Sequence, residues 1–163
     1  MKRFVVRYFL FLGLLFTTAY MPFTPFASVL NDLQTAMTLK GLALFLAPEE
    51  IDGVDILINP HYKIIITQAC NGFIPVFFLW AALWAYPASW KKRIVWSFAA
   101  YAIFSVVNIL RILTVVHFVK QEGGRANFYW SHDLLGNALL MAVGLTLFYL
   151  YLRTQSSLAR KNR

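Results

Sequence analysis

The chain has 163 residues, of which 60% are hydrophobic and 13% are charged, and it carries a formal net charge of +8. Soluble domains are about a quarter charged, so this composition predicts a single membrane-embedded domain over residues 1–163. The basic residues cluster in short runs at the ends of apolar stretches, which is typical of membrane topology and argues against a nucleic-acid partner. The single cysteine excludes an internal disulfide and a cysteine-based metal cluster.

Four apolar stretches are long enough to cross the ~30 Å hydrocarbon core of a bilayer, which takes roughly 20 residues of helix. The first follows a basic start, as a cleaved signal peptide would. Its apolar run is long and its candidate cleavage sites are poor, which favours retention. In chain order, the predicted spans cover about residues 8–30, 69–90, 94–119 and 133–152.

The charges orient these spans. The two termini and the loop between the second and third spans hold 10 of the 15 basic residues and none of the 7 acidic ones. By the positive-inside rule these segments are cytoplasmic. The fold class predicted is an all-α integral membrane protein with about four transmembrane helices and both termini in the cytoplasm.

The segment over about residues 31–68 then faces outward. Apolar side chains on a helical spacing over residues 31–44 predict an interfacial helix lying on the outer leaflet. Two β-branched runs, residues 54–58 and 63–67, bracket a turn and predict a small β-hairpin. The second run leads directly into Cys70.

Cys70 is a candidate nucleophile at the outward end of the second span. Pro75 places the start of a helix there, since proline is tolerated in a first helical turn. The positive end of the helix dipole favours a thiolate. The alternative is a thiol that packs as a small hydrophobic side chain, which is the commoner role of a free cysteine.

Arg111 is the costly residue of the third span. It follows Ile94 by 17 residues, or roughly 25 Å of helix, which places it just beneath the outer interface. An ionised side chain inside an apolar span costs ~3 kcal/mol or more unless it is paired, so a functional role is expected. Snorkelling to the headgroups is the alternative. Asn108 lies on the same helix face, three residues earlier.

His132 opens the fourth span from outside, at the same depth. An imidazole is the usual partner that activates a thiol, as base and then as acid. His61 and His117 compete for this role, but depth favours His132. Asp133 either orients His132 or marks the interface.

Three motifs in this order resemble the core of the exosortase/archaeosortase family, over roughly residues 50–152. They are a Cys-Asn-Gly run at the start of one span, Asn-x-x-Arg late in the next, and His-x-x-x-Gly at the start of the following one. Many exosortases are larger, with about eight spans, so the chain is closer to the short forms such as the exosortase H type. Asn71 replaces the serine or alanine often found beside the cysteine. The resemblance implies catalytic roles for Cys70, Arg111 and His132, with Asn71, Gly72, Asn108, Asp133 and Gly136 as supporting residues.

The resemblance also implies a function. The enzyme would be a cysteine protease or transpeptidase in the prokaryotic inner membrane, without metal or cofactor, whose active site faces outward. Its partners would be secreted proteins with a PEP-CTERM-like C-terminal sorting signal, the lipid bilayer and an unknown acceptor nucleophile. The thiolate would attack the peptide carbonyl, the guanidinium would stabilise the oxyanion, and the imidazole would move the protons.

Other functions stay open at this stage. A thiol–disulfide oxidoreductase needs a cysteine pair that the chain lacks. A small transporter could use Arg111 for an anionic substrate, although it would place such a charge nearer to mid-membrane. In a non-catalytic assembly subunit, Cys70 and His132 would only pack.

Overall fold

The computed structural model describes residues 2–121 and 128–161, without the side chains of residues 133 and 156–161. A π-helical segment, Tyr129–Gly136, leads directly into the last helix. The helices are α1 Lys2–Ala19, α2 Pro25–Leu42, α3 Phe73–Ala85, α4 Trp90–Lys120 and α5 Asn137–Lys161.

The first predicted span, residues 8–30, is not one helix. α1 ends at Ala19, and the chain turns before α2 begins at Pro25. Thr24 caps α2, since its Oγ1 accepts from the Ala27 backbone N–H at 3.2 Å. Pro22 lies in the turn and has no backbone N–H to donate, which favours the break there. The predicted interfacial helix therefore begins earlier than residue 31, and it includes the end of the predicted span.

The helices differ in whether their length and apolar composition would allow them to cross a bilayer. Among the described residues, two segments are long and apolar enough to cross a bilayer, Trp90–Lys120 and Tyr129–Gln155. α3 is apolar but only 13 residues long. It ends before Pro87, because a proline disfavours helical conformation in the residue that precedes it. The four-span topology stays a prediction.

The predicted hairpin is confirmed and has an additional strand. Within residues 2–121, the antiparallel sheet has the order β1 Ile51–Asp52, β2 Asp55–Asn59, β3 Tyr62–Ile65. Ile56 and Ile64 are paired across β2 and β3 and both are buried. Their side chains belong to a hydrophobic cluster with Val115 and Val116 of α4. The sheet thus packs on the end of α4 that follows Arg111.

A second hydrophobic cluster joins α1, α3, α4 and α5. α1 and α3 pack along much of their lengths, with Phe16 of α1 against Phe77 of α3. The indole N–H groups of Trp80 and Trp84 donate to the backbone O and Oγ of Ser97 at 3.0 and 3.1 Å. These bonds tie the second half of α3 to the early turns of α4, which follows it after a short connection. The start of α3 therefore lies beside the later turns of α4.

The alternation of burial along β2 yields the first prediction. Ile56→Ala should lower the free energy of unfolding by about 3 kcal/mol, since it leaves a cavity against α4. Leu57→Ala is the matched control, because Leu57 is 37% exposed on the opposite face of the strand. It should cost less than ~1 kcal/mol. Thermal unfolding in detergent micelles measures both, and equal losses would contradict the packing described.

Candidate active site

Cys70 lies in a 3-10 turn, Gln68–Asn71, just ahead of α3. Its backbone N–H donates to Thr67 O at 2.9 Å, and its Sγ lies 3.6 Å from Thr67 Oγ1. Gln68 ties the turn to the end of α1, donating to Tyr20 O at 2.8 Å. Cys70 as a whole is 9% exposed. The turn therefore holds the sulfur at a defined position.

Gly72 allows this turn to pass directly into α3. Its φ is +72°, a left-handed conformation that side chains with a Cβ adopt at a cost. A Cβ at this position would also lie 3.2 Å from Cγ and Oδ1 of Asn108. Both the conformation and the close approach explain why this position of the Cys-Asn-Gly run requires a glycine.

Asn108 joins the turn to α4. Its amide Nδ2 donates to the carbonyl oxygen of Cys70 at 2.7 Å, and its Oδ1 accepts from Nη1 of Arg111 at 3.3 Å. Asn108 is 1% exposed and Arg111 is 4% exposed. One buried side chain therefore fixes the backbone of the cysteine relative to the guanidinium.

Arg111 reaches from α4 to the π-helical segment. Its Nη2 lies 3.1 Å from Nε2 of His132 and donates to the backbone O of His132 at 3.3 Å. Because a guanidinium only donates, Nε2 accepts and the proton of the neutral imidazole is on Nδ1. Phe128 stacks on the imidazole at 4.9 Å between ring centroids. The sequence-predicted cysteine, arginine and histidine are thus brought together.

The environment of Cys70 favours its thiolate. The residue lies in the turn ahead of α3, outside the two segments that are long and apolar enough to cross a bilayer. Burial raises the pKa of the thiol. Hydrogen bonds with His132 and with Thr67 lower the pKa by more than burial raises it, so the pKa falls from its ordinary 9.0 to about 7. A lowered pKa is what a nucleophilic cysteine requires near neutral pH.

Gly136 makes room for the arginine. A Cβ at Gly136 would overlap Nε of Arg111 and lie 3.0 Å from its Cδ. The next residue, Asn137, accepts from Nη2 of Arg111 through its Oδ1 at 3.3 Å. Sequence reasoning missed Asn137. An asparagine in the first turn of an otherwise apolar helix was the signal that could have identified it.

The contacts of Asn71 were also missed. Its Nδ2 donates to Oδ1 of Asn31 at 2.7 Å and to Oγ1 of Thr35 at 2.8 Å, both on α2. Asn31 and Thr35 are four residues apart, a spacing that places them on one helix face. Two buried polar side chains, Gln34 and Thr38, extend the polar side of the helix. α2 thus supports the cysteine turn, which an interfacial helix need not do.

The competing histidines are elsewhere. His61 is exposed in the β2–β3 turn, and its backbone N–H donates to Oδ1 of Asn59. His117 is exposed on α4, and its Nε2 lies 2.8 Å from Nε2 of Gln121. The side chain of Asp133 lies outside the described residues. Among those described, no group of three His, Cys, Asp or Glu side chains could hold a metal ion.

Fold and site together define a helical membrane protein that gathers a thiol, a guanidinium and an imidazole where α3, α4 and the π-helical segment meet. The model of the transmembrane exosortase family, EpsH type, matches residues 2–149. The chain belongs to this family, as the three motifs predicted. No curated protein and no solved structure matches it.

The lowered pKa of Cys70 predicts its reactivity. Alkylation of the detergent-solubilised protein by iodoacetamide should reach half its maximal rate near pH 7, where the thiol loses its proton. In His132→Ala the midpoint should rise, because fewer hydrogen bonds would then lower the pKa of the thiol against the effect of burial, which raises it. His117→Ala is the matched control and should leave the midpoint unchanged. A wild-type midpoint near 9 would contradict the environment described.

The clearance at Gly136 yields a packing prediction. Gly136→Ala should lower the free energy of unfolding by about 2 kcal/mol, because the Arg111 side chain must move from its buried position. Gly144→Ala on α5 is the control, since a Cβ there would make an ordinary 3.4 Å contact with Phe104. It should be neutral or stabilising by up to ~1 kcal/mol. Thermal unfolding compares the two variants, and equal losses would show that Arg111 is not held as described.

Proposed function

We propose that this exosortase is a cysteine protease or transpeptidase that cleaves secreted proteins bearing a PEP-CTERM-like C-terminal sorting signal. The observation that carries the proposal is the continuous set of contacts from the backbone of Cys70 through Asn108 to Arg111 and on to His132. These groups are the parts of a thiol acyl-transfer site. Membership of the exosortase family supports the same chemistry.

The first half-reaction forms a thioester. The Cys70 thiolate attacks the carbonyl carbon of the scissile peptide, and the guanidinium of Arg111 stabilises the negative charge that develops on oxygen. A charged donor in a site of this kind is worth roughly 10²–10³ in rate. The C–N bond then breaks, and the leaving amine takes the proton that the imidazole of His132 accepted when the Cys70 thiol ionised.

The second half-reaction releases the product. An acceptor amine or water attacks the thioester carbonyl, passes a proton to the imidazole and restores the Cys70 thiolate. With an amine as acceptor the enzyme is a transpeptidase, and with water it is a protease. The burial of Arg111 and Asn108 keeps bulk water away from the charges, which strengthens their effect on the transition state.

In this proposal the site lies at the outer face of the prokaryotic inner membrane. Along α4, Arg111 follows Lys91 by 20 residues, or about 30 Å, which is the thickness of the hydrocarbon core. With the basic start of α4 in the cytoplasm, the cysteine turn lies at the opposite interface. Four spans and cytoplasmic termini complete this proposal.

The proposal is tested by co-expression with a tagged secreted protein of the host that ends in an apolar span and a basic cluster. Cys70→Ala should lower its processing by about 10³-fold or more, because the nucleophile is lost. Immunoblotting of the tag measures processing, and mass spectrometry of trapped wild-type enzyme should show the thioester on Cys70.

The three histidines supply matched controls. His132→Ala should lower processing by about 10²-fold or more, whereas His61→Ala and His117→Ala should stay near wild type. Unchanged processing by inserted and stable Cys70→Ala would refute the peptidase reaction. Retained transport of a small anion by that variant would instead indicate a transporter, the alternative function left open by the sequence.

A further inference from the structure

A groove of about 650 Å³ lies between α3 and α5 and leads to the active site. The end of the groove nearest to Cys70 is formed by Ala69 of the cysteine turn, by Gly72 just after the turn, and by Arg111 and Asn137. The walls farther from Cys70 are apolar. They include Ile74 and Phe78 of α3 and Met141, Leu145 and Phe148 of α5.

The groove is open along its side. Phe78 is 45% exposed, Met141 64% and Leu145 66%, although these large apolar side chains lie in helices that pack against each other. From Asn137 to Phe148 the α5 wall extends over 11 residues, or about 16 Å. This length corresponds to the outer half of the ~30 Å hydrocarbon core.

The lining of the groove is polar at the end near Cys70 and apolar along the rest of its length. This change in polarity indicates which kind of molecule the groove binds. At the depth of the apolar walls, a peptide must satisfy its own backbone hydrogen bonds, so it must be helical. At the end near Cys70, a chain that leaves its helix meets polar groups. Asn137 turns its Oδ1 toward Arg111, so its Nδ2 faces away from the guanidinium. This neutral amide donor suits a peptide carbonyl, and the guanidinium of Arg111 beside it suits the oxyanion of the proposed reaction.

We infer that this groove seats the outer half of the substrate's transmembrane helix and delivers the adjoining extended segment to Cys70. The inference rests on the proposed function, and it adds the place of binding and the direction of entry. The substrate enters laterally from the bilayer between α3 and α5. Its apolar helix packs on Phe78, Met141 and Leu145, and Asn137 donates to a carbonyl beyond the end of the helix.

Photo-crosslinking in the membrane tests this docking directly. Benzoylphenylalanine replaces Met141 or Leu145 in the groove, or Leu139 and Val106 as controls that are 40% and 59% exposed outside it. The chain carries Cys70→Ser so that bound substrate is not turned over. The probe is the tagged host protein with its C-terminal apolar span and basic cluster.

We expect the two groove positions to form adducts with the outer half of the probe's span. The two control positions should form none. Equal yields at all four positions would overturn the inference. Adducts confined to phospholipid would assign the groove to an acyl chain, and adducts confined to a second copy of this chain would assign it to self-association. Either result would overturn the inference as well.

A second measurement uses the Cys70-containing enzyme. Leu145→Trp fills the groove and should lower processing by about 10-fold, since a misplaced scissile bond reacts slowly. Leu139→Trp should leave processing near wild type. Cys70-dependent processing without selective adducts would overturn the groove alone. Selective adducts without Cys70-dependent processing would overturn the peptidase reaction and leave the docking site standing.

Discussion

The geometry of the candidate site depends on the side chain of Asn108. Its amide group donates to the backbone carbonyl of Cys70 and accepts from the guanidinium of Arg111. One side chain therefore positions both the cysteine turn and the arginine. Both bonds are buried, and a buried polar group left unpaired costs ~1–3 kcal/mol. Any movement of α3 along α4 would break the bond to Cys70, which precedes α3 directly. The register of these two helices is therefore coupled to the geometry of the site.

Further contacts support the pairing of α3 with α4. The tryptophan side chains of α3 bond to Ser97 of α4, and the small sheet packs on α4 beyond Arg111. α2 adds a third support through the amide of Asn71. The buried charge of Arg111 is also stabilised from several elements, since α4, the π-helical segment and α5 each supply acceptors to its guanidinium. A buried charge with several acceptors is less costly than one with a single partner.

Much of the candidate site could be predicted from the chain alone, because polar or ionisable side chains in or next to an apolar span carry a free-energy cost. A lone thiol, an arginine within an apolar span and a histidine at the next interface stand out against an apolar background. Asn137 and Asn31 did not stand out, because a polar residue near a helix end has an ordinary place at the interface. The break between α1 and α2 was missed for a similar reason. The residues around Pro22 are apolar enough to continue a span, and hydropathy does not register a missing N–H donor.

The sequence by itself determined the membrane class, the hairpin, the family and the three candidate site residues, because hydropathy, charge sidedness and motif spacing are local properties of the chain. The tertiary structure decided which polar atoms bond to one another. It alone showed that Asn108 links α4 to the cysteine turn, that Gly136 leaves space for Arg111, and that Nε2 of His132 faces the guanidinium. These facts depend on distances between segments far apart in the chain, and those distances are set by packing rather than by the composition of any one segment.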